Sequence, residues 1–169
     1  NGLLLVAAAG NDGLYQGSFP ASHPNVVSVT AVSKNESLWV GSNYGPWIEL
    51  AGPGHQVTST SIMNGLYVYS NYSGTSMANP HVAGAAALLW SHFPNCTNTQ
   101  IRYVLAYSAK GTGCNDKMGY GIVQTKAAFD FLTENPCKNA IWGQTPSTGN
   151  CTTIDVEPVS TFFKPWRRP

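Results

Sequence analysis

The chain is 169 residues long, about one domain's worth. Hydrophobic residues make up 43% and charged residues only 10%, well under the charged fraction of an average soluble domain, which excludes a disordered polyelectrolyte and a coiled coil. The formal net charge of +1 offers no basic field to nucleic acid, and the longest apolar stretch, Val82 to Trp90, is half of what spans a bilayer, so neither nucleic acid nor membrane is an expected partner.

Leu3–Ala9 is a continuous apolar run ending in Gly10-Asn11-Asp12-Gly13, which predicts a buried strand feeding a turn, as in parallel sheets. No initiator Met or secretion signal precedes it, so the chain is expected to be part of a longer protein. Gly17, Pro20 and Pro24 punctuate a loop over 14–24, and the β-branched Val26–Val32 reads as the next strand. A short strand is expected at Trp47–Ala51, closed by Gly52-Pro53-Gly54. Val57–Ile62 and Leu66–Tyr72 flank Met63-Asn64-Gly65, a hairpin signal.

From Ser76 the alternation stops. Ser76–Phe93, rich in Ala and Leu, predicts a long buried helix, with Gly84-Ala85-Ala86-Ala87 small enough for close packing. Thr97-x-x-Gln100 is a capping box opening a second helix, with Ile101, Val104, Leu105 and Ser108 on one face. A last helix is expected at about Val123–Leu132, and 152–169, with three prolines, reads as a tail. Strands first and helices after give a layered α/β fold.

Cys96, Cys114, Cys137 and Cys151 allow three disulfide pairings, and no Cys-x-x-Cys or Cys/His spacing suggests zinc. Sequons begin at Asn35, Asn71, Asn95 and Asn150; with an even cysteine count they favour a secreted, oxidising setting. Neighbours in sequence close the shortest loops, which predicts Cys96–Cys114 and Cys137–Cys151.

The segment that carries chemistry is Ser73-Gly74-Thr75-Ser76-Met77-Ala78-Asn79-Pro80-His81-Val82-Ala83-Gly84. Ser76 falls in the first turn of the long helix, where backbone N–H groups lack internal partners and the dipole is positive. An oxyanion forming beside Ser76 would meet those donors, and Gly74 and Ala78 leave a nucleophile accessible. On spacing alone the plainer reading, an ordinary N-terminal helix serine, takes precedence.

The run from Gly74 to Gly84 resembles the serine signature of the subtilisin family, G-T-S-M-A-x-P-H-V-A-G, at every specified position. Ala7-Ala8-Ala9-Gly10-Asn11-Asp12-Gly13 is similar to the family's oxyanion segment, and Pro20–Val26 and Ala51–Gly54 resemble family loops. The likeness runs from about residue 1 to 133, which implies the C-terminal part of a subtilase catalytic domain there and an extension and tail, pinned by a disulfide, at 134–169. It implies a three-layer fold with a mainly parallel sheet between helices. It also implies a serine endopeptidase acting on protein or peptide substrates, with Ser76 as nucleophile, Asn11 as oxyanion donor and Thr75 supporting the hole. Ala8, Ala9 and Gly10 would wall the S1 pocket, and Ser18 would lie at its base.

In this family the triad runs Asp, His, Ser, so the Asp and His are expected ahead of residue 1, in the missing half of the domain. No histidine here is a credible base: His81 reads as a packed helix residue, His23 and His55 sit in loops, and His92 lies far along the helix. No metal ligand set is expected within this chain. The resemblance leaves room for calcium in the complete protein, and carbonyls of Ala21–Val26 with Glu49 would be a weak site, with one carboxylate for an ion that takes six to eight oxygens. The alternatives are a catalytically dead subtilase-fold binding or scaffold glycoprotein, and a secreted non-enzymatic glycoprotein with a chance motif. An upstream Asp motif and His motif in order would separate the first of these from a protease.

Overall fold

The computed structural model describes residues 2–111 and 113–137. Three strands, β1 (Leu5–Ala8), β2 (Val26–Val32) and β3 (Leu50–Pro53), form a parallel sheet in the order β1-β2-β3. Every residue of β2 is buried, as its valine run requires of a central parallel strand. The hairpin expected around Asn64-Gly65 is present as β4 (Val57–Met63) and β5 (Leu66–Tyr72), antiparallel. Its turn residues take φ 51° and 78°, the left-handed values that a two-residue hairpin turn demands.

Helix α1 (Thr75–His92) lies across all three parallel strands through Ala78, Val82, Ala85, Ala86 and Leu89. Helices α2 (Asn98–Tyr107) and α3 (Thr125–Glu134) pack on it and on each other. The capping box of α2 is formed: the Gln100 N–H donates to Thr97 Oγ1 at 3.2 Å, and Gln100 Oε1 accepts from the Thr97 N–H at 2.9 Å. Ile101, Val104 and Leu105 of α2 are wholly buried, as their spacing predicts. Thr97→Ala is expected to lower stability by about 1 kcal/mol through loss of this cap. Urea melts of the two proteins check it; an unchanged midpoint and slope would show the cap contributes nothing.

Four expectations need correction. Strand β1 is shorter than Leu3–Ala9 and its N-terminal end is not buried: Leu3 is 61% and Leu5 41% exposed, while Ala7 and Ala9 further along are buried, and among the described residues β1 pairs with β2. Strand β3 starts at Leu50 and not at Trp47, since the preceding residues close a turn in which Ile48 N–H donates to Gly45 O. Helix α1 is one-sided: Gly84, Ala87 and Leu88 face away from the sheet and are exposed, so the small-residue run does not serve close packing on all sides.

The fourth concerns the cysteines. Cys96 is bonded to Cys137, with Cα atoms 5.2 Å apart, which rules out both Cys96–Cys114 and Cys137–Cys151. Cys114 is disulfide-bonded as well, and no described cysteine is free; Cys151, Asn150 and the tail over 152–169 lie outside the described residues. Short loops mislead because closure entropy grows only slowly with length. What decides the pairing is that the chain ahead of α2 meets the chain after α3, where Gln100 Nε2 also donates to Cys137 O at 2.8 Å. In the chain-entropy picture a bridge spanning 41 residues contributes on the order of 4 kcal/mol.

One buried charge pair ties the layers together. Glu49, just ahead of β3, and Arg102, in α2, are 2% and 5% exposed and meet in a bidentate pair at 2.6–3.0 Å. Arg102 Nη2 also donates to Pro24 O at 2.8 Å. Burial pushes the Glu49 carboxyl above its ordinary range, and the guanidinium opposes that rise.

Candidate active site

The start of α1 is set by glycines. The Gly74 N–H donates to Gly54 O at 2.7 Å. A Cβ on Gly54 would sit 2.5 Å from Ala31 Cβ and 2.8 Å from Gly74 O, so only glycine lets the loop after β3 meet the turn before the helix. In the first turn the Met77 and Ala78 N–H groups both reach back to Gly74 O, and the Thr75 N–H goes to Asn11 Oδ1 at 2.8 Å. The Ser76 N–H has no partner among the described residues, and Ser76 itself is exposed. A free donor and an accessible hydroxyl thus belong to one residue at a helix N-terminus.

Asn11 comes to the same place from the end of β1. Its Oδ1 accepts from both the Thr75 N–H (2.8 Å) and Thr75 Oγ1 (3.0 Å). Since the Thr75 N–H can only donate, the atom facing it is the oxygen, and the Nδ2 of the same amide is left as a donor directed elsewhere. Thr75, wholly buried, is held in turn by the Gly10 N–H, which donates to its Oγ1 at 3.2 Å. Asn11 and Thr75, 64 residues apart in sequence, are thus hydrogen-bonded to each other, and Ser76 follows Thr75 directly, so the three sit together as one unit.

Ala8, Ala9 and Gly10 run beside this unit at the C-terminal end of β1, with the Ala9 N–H donating to Val29 O. Ser18 Oγ donates to Ala9 O at 3.0 Å and lies 3.4 Å from where a Gly10 Cβ would be, which brings Ser18 to the same wall. The loop that delivers it continues through a cis Phe19–Pro20 bond.

The histidines stand apart from Ser76. His55 Nδ1 bonds Ser73 Oγ at 3.0 Å and its ring stacks on Trp39; His23 Nδ1 accepts from the Asn25 N–H; His92 Nδ1 meets Leu88 O. His81 is exposed, with Nδ1 2.8 Å from Met77 O, and so is not the packed helix residue its spacing suggests. The calcium site considered on Glu49 does not fit the residues present. Arg102 holds both carboxylate oxygens and one of the carbonyls, at Pro24, that the ion would need. Among the described residues no group of three His, Cys, Asp or Glu is placed to hold a metal, and no helix is long and apolar enough to cross a membrane.

Two features escape sequence reasoning. Asn43, wholly buried, bonds the loop that carries Asn11, and Glu49 finds Arg102 across 53 residues. Neither belongs to a local pattern that would mark it beforehand.

A parallel sheet is thus crossed by a helix that opens on an exposed serine, with the side chain of Asn11 held beside it. Residues 1–121 match the subtilase (peptidase S8) family, and the chain belongs to that family. It is 44% identical over 127 residues to a thermostable alkaline protease of Halalkalibacterium halodurans, covering 75% of this chain and 34% of that one. It is 40% identical to subtilisin BL of Lederbergia lenta over 75% of this chain and 46% of the relative. The chain thus spans about a third to a half of the length of the curated relatives it matches. Among solved structures, a Pseudoalteromonas arctica protease superposes with a TM-score of 0.70 at 34% identity, covering 75% of this chain and 42% of that one. The psychrophilic subtilisin-like protease Apa1 from an Antarctic Pseudoalteromonas matches in fold, with a TM-score of 0.72 at 21% identity over 79% of this chain and 65% of that one. The expected α/β, subtilisin-like fold class is thereby established.

Proposed function

We propose that this chain carries the nucleophile and the oxyanion hole of a secreted serine endopeptidase whose general base and orienting acid lie on chain outside these residues. The observation that carries the reading is the unit formed by Asn11, Thr75 and Ser76 at the N-terminus of α1. Ser76 Oγ attacks the scissile carbonyl while its proton passes to the histidine base. The developing oxyanion takes hydrogen bonds from the Ser76 N–H and from Asn11 Nδ2. Thr75 fixes Asn11 by engaging Oδ1 with two donors, so the amide nitrogen is already aimed when charge develops. Ala8, Ala9, Gly10 and Ser18 receive the side chain ahead of the scissile bond, and proteins or peptides are the substrates. The disulfides and the exposed sequons at Asn35, Asn71 and Asn95 support a secreted glycoprotein.

The test is active-site labelling of the complete protease with a fluorophosphonate, followed by peptide mapping. The expected result is one label per molecule, on Ser76, with cleavage lost in step. Cleavage that survives full labelling, or a label on another residue, overturns the assignment. A protein that neither labels nor cleaves is instead the catalytically silent, ligand-binding member of the fold.

A further inference from the structure

Asn43 is wholly buried and makes four hydrogen bonds to the loop that follows β1. Its backbone N–H donates to Gly10 O at 2.9 Å. Its Oδ1 accepts from the Asp12 N–H at 2.9 Å and the Leu14 N–H at 3.2 Å, and its Nδ2 donates to Asp12 Oδ2 at 3.1 Å. Both neighbours of Asn11 are thereby tied to one residue, Gly10 through the Asn43 backbone and Asp12 through the Asn43 side chain. The contact is close: a Cβ on Gly10 would lie 2.4 Å from Asn43 Nδ2. Asn43 is anchored from behind, because Ser42 Oγ donates to Asn43 O at 3.1 Å and accepts from the Ala31 N–H of β2 at 3.1 Å.

Other bonds hold the far side of the loop, from the Gly13 N–H to Gly41 O at 2.9 Å and from the Tyr44 N–H to Leu14 O at 3.0 Å, but the Asp12 N–H next to Asn11 goes to Asn43. Gly10 and Gly13 have φ of 110° and 67°, so the backbone around Asn11 has access to conformations closed to other residues. Thr75 holds the Asn11 side chain, but nothing on α1 holds the peptide units at Asp12 and Leu14. A buried amide bonded through both its oxygen and its nitrogen is a rigid bracket, and a misplaced oxyanion donor loses most of its effect.

Resting on the proposed function, we infer that Asn43 is a positioning residue for the oxyanion hole: it brackets the Gly10–Leu14 loop on sheet strand β2 so that Asn11 Nδ2 points at the developing charge. It touches no substrate and acts through Asn11 alone.

The complete protease is assayed as Asn43→Ala, as Asn11→Ala and as both. Asn43→Ala is expected to lower kcat by about 10–100-fold with KM nearly unchanged. Affinity for a peptide boronic acid, whose tetrahedral adduct places an oxygen in the hole, falls by a similar factor. In the Asn11→Ala background Asn43→Ala costs less than about twofold more, because the donor it positions is gone. Additive losses, a rise in KM at constant kcat, or wild-type kcat in a folded Asn43→Ala protein would each overturn the inference.

If Asn43→Ala does not fold, the exchange Asp12→Asn with Asn43→Asp decides. Asn43→Asp alone sets two carboxylates face to face and should lose kcat; adding Asp12→Asn restores the bond with donor and acceptor reversed, and should restore kcat. An exchange no better than Asn43→Asp overturns the positioning role. The underlying reading is checked in the same preparation: wild-type Ser76 must react with fluorophosphonate, and only a failure there counts against the peptidase assignment itself.

Discussion

Replacing Ser76 with alanine in the complete protease is expected to remove peptide-bond cleavage, by a factor on the order of 10⁶ in kcat, a magnitude carried over from a subtilisin. The fold should stand, because Ser76 is exposed and its side chain makes no hydrogen bond among the described residues. Asn11→Ala should behave differently on both counts. On the proposed function it removes one donor to the oxyanion, for an expected loss of about 10²–10³, again a value known from a subtilisin. It also strips the acceptor from the Thr75 N–H, which sits on a wholly buried residue, so its melting temperature should fall while that of Ser76→Ala does not. Steady-state hydrolysis of a chromogenic peptide and a thermal melt on each variant separate the two. A Ser76→Ala protein within tenfold of wild type would remove the serine from the mechanism, and equal rate losses for the two would mean that Ser76 is not a nucleophile.

How much of this was legible follows from where each interaction lives. The valine run of β2, the Asn64-Gly65 hairpin and the Thr97/Gln100 cap are local: their causes lie within a few residues, so the sequence predicts them nearly to the boundary. The Asn11–Thr75–Ser76 unit is not local, and only the resemblance to subtilases brought its members together before the structure did. The resemblance is silent on Asn43, which pattern and spacing do not reveal: its role comes from meeting a loop about 30 residues earlier. The disulfide went wrong for a related reason. Spatial distance, not sequence distance, decides the pairing, and the packing of α2 against α3 brings Cys96 to Cys137 past the nearer Cys114. Strand β1 and helix α1 read as buried on all sides from composition alone, yet among the described residues β1 has an exposed N-terminal end and α1 an exposed face. Apolar composition tells which surfaces favour burial, but not which neighbours supply it.

The buried pair at Glu49 leads to the largest expected effect on stability. Arg102→Leu leaves a carboxylate 2% exposed without a counter-charge and frees Pro24 O as well, at a cost of about 3–5 kcal/mol. The loss should depend on pH with a definite sign. Burial already pushes the Glu49 carboxyl above its ordinary value near 4.5, and removing the opposing guanidinium pushes it higher. A carboxyl raised in the folded state gives its full contribution below the unfolded value and loses it as pH rises through the folded one. Arg102→Leu should therefore be closest to wild type in acid and fall progressively behind once pH passes the raised folded value of the wild-type Glu49 carboxyl, above its ordinary 4.5. Glu49→Leu with Arg102→Met removes both charges, and should recover most of the loss and its pH dependence, since an apolar pair of similar volume carries no desolvation penalty. Urea melts of the inhibitor-blocked complete protease between pH 5 and 8 measure all three. A deficit in Arg102→Leu that stays flat across that range would mean that Glu49 keeps the same protonation state with and without the guanidinium, and would overturn the expected pH dependence.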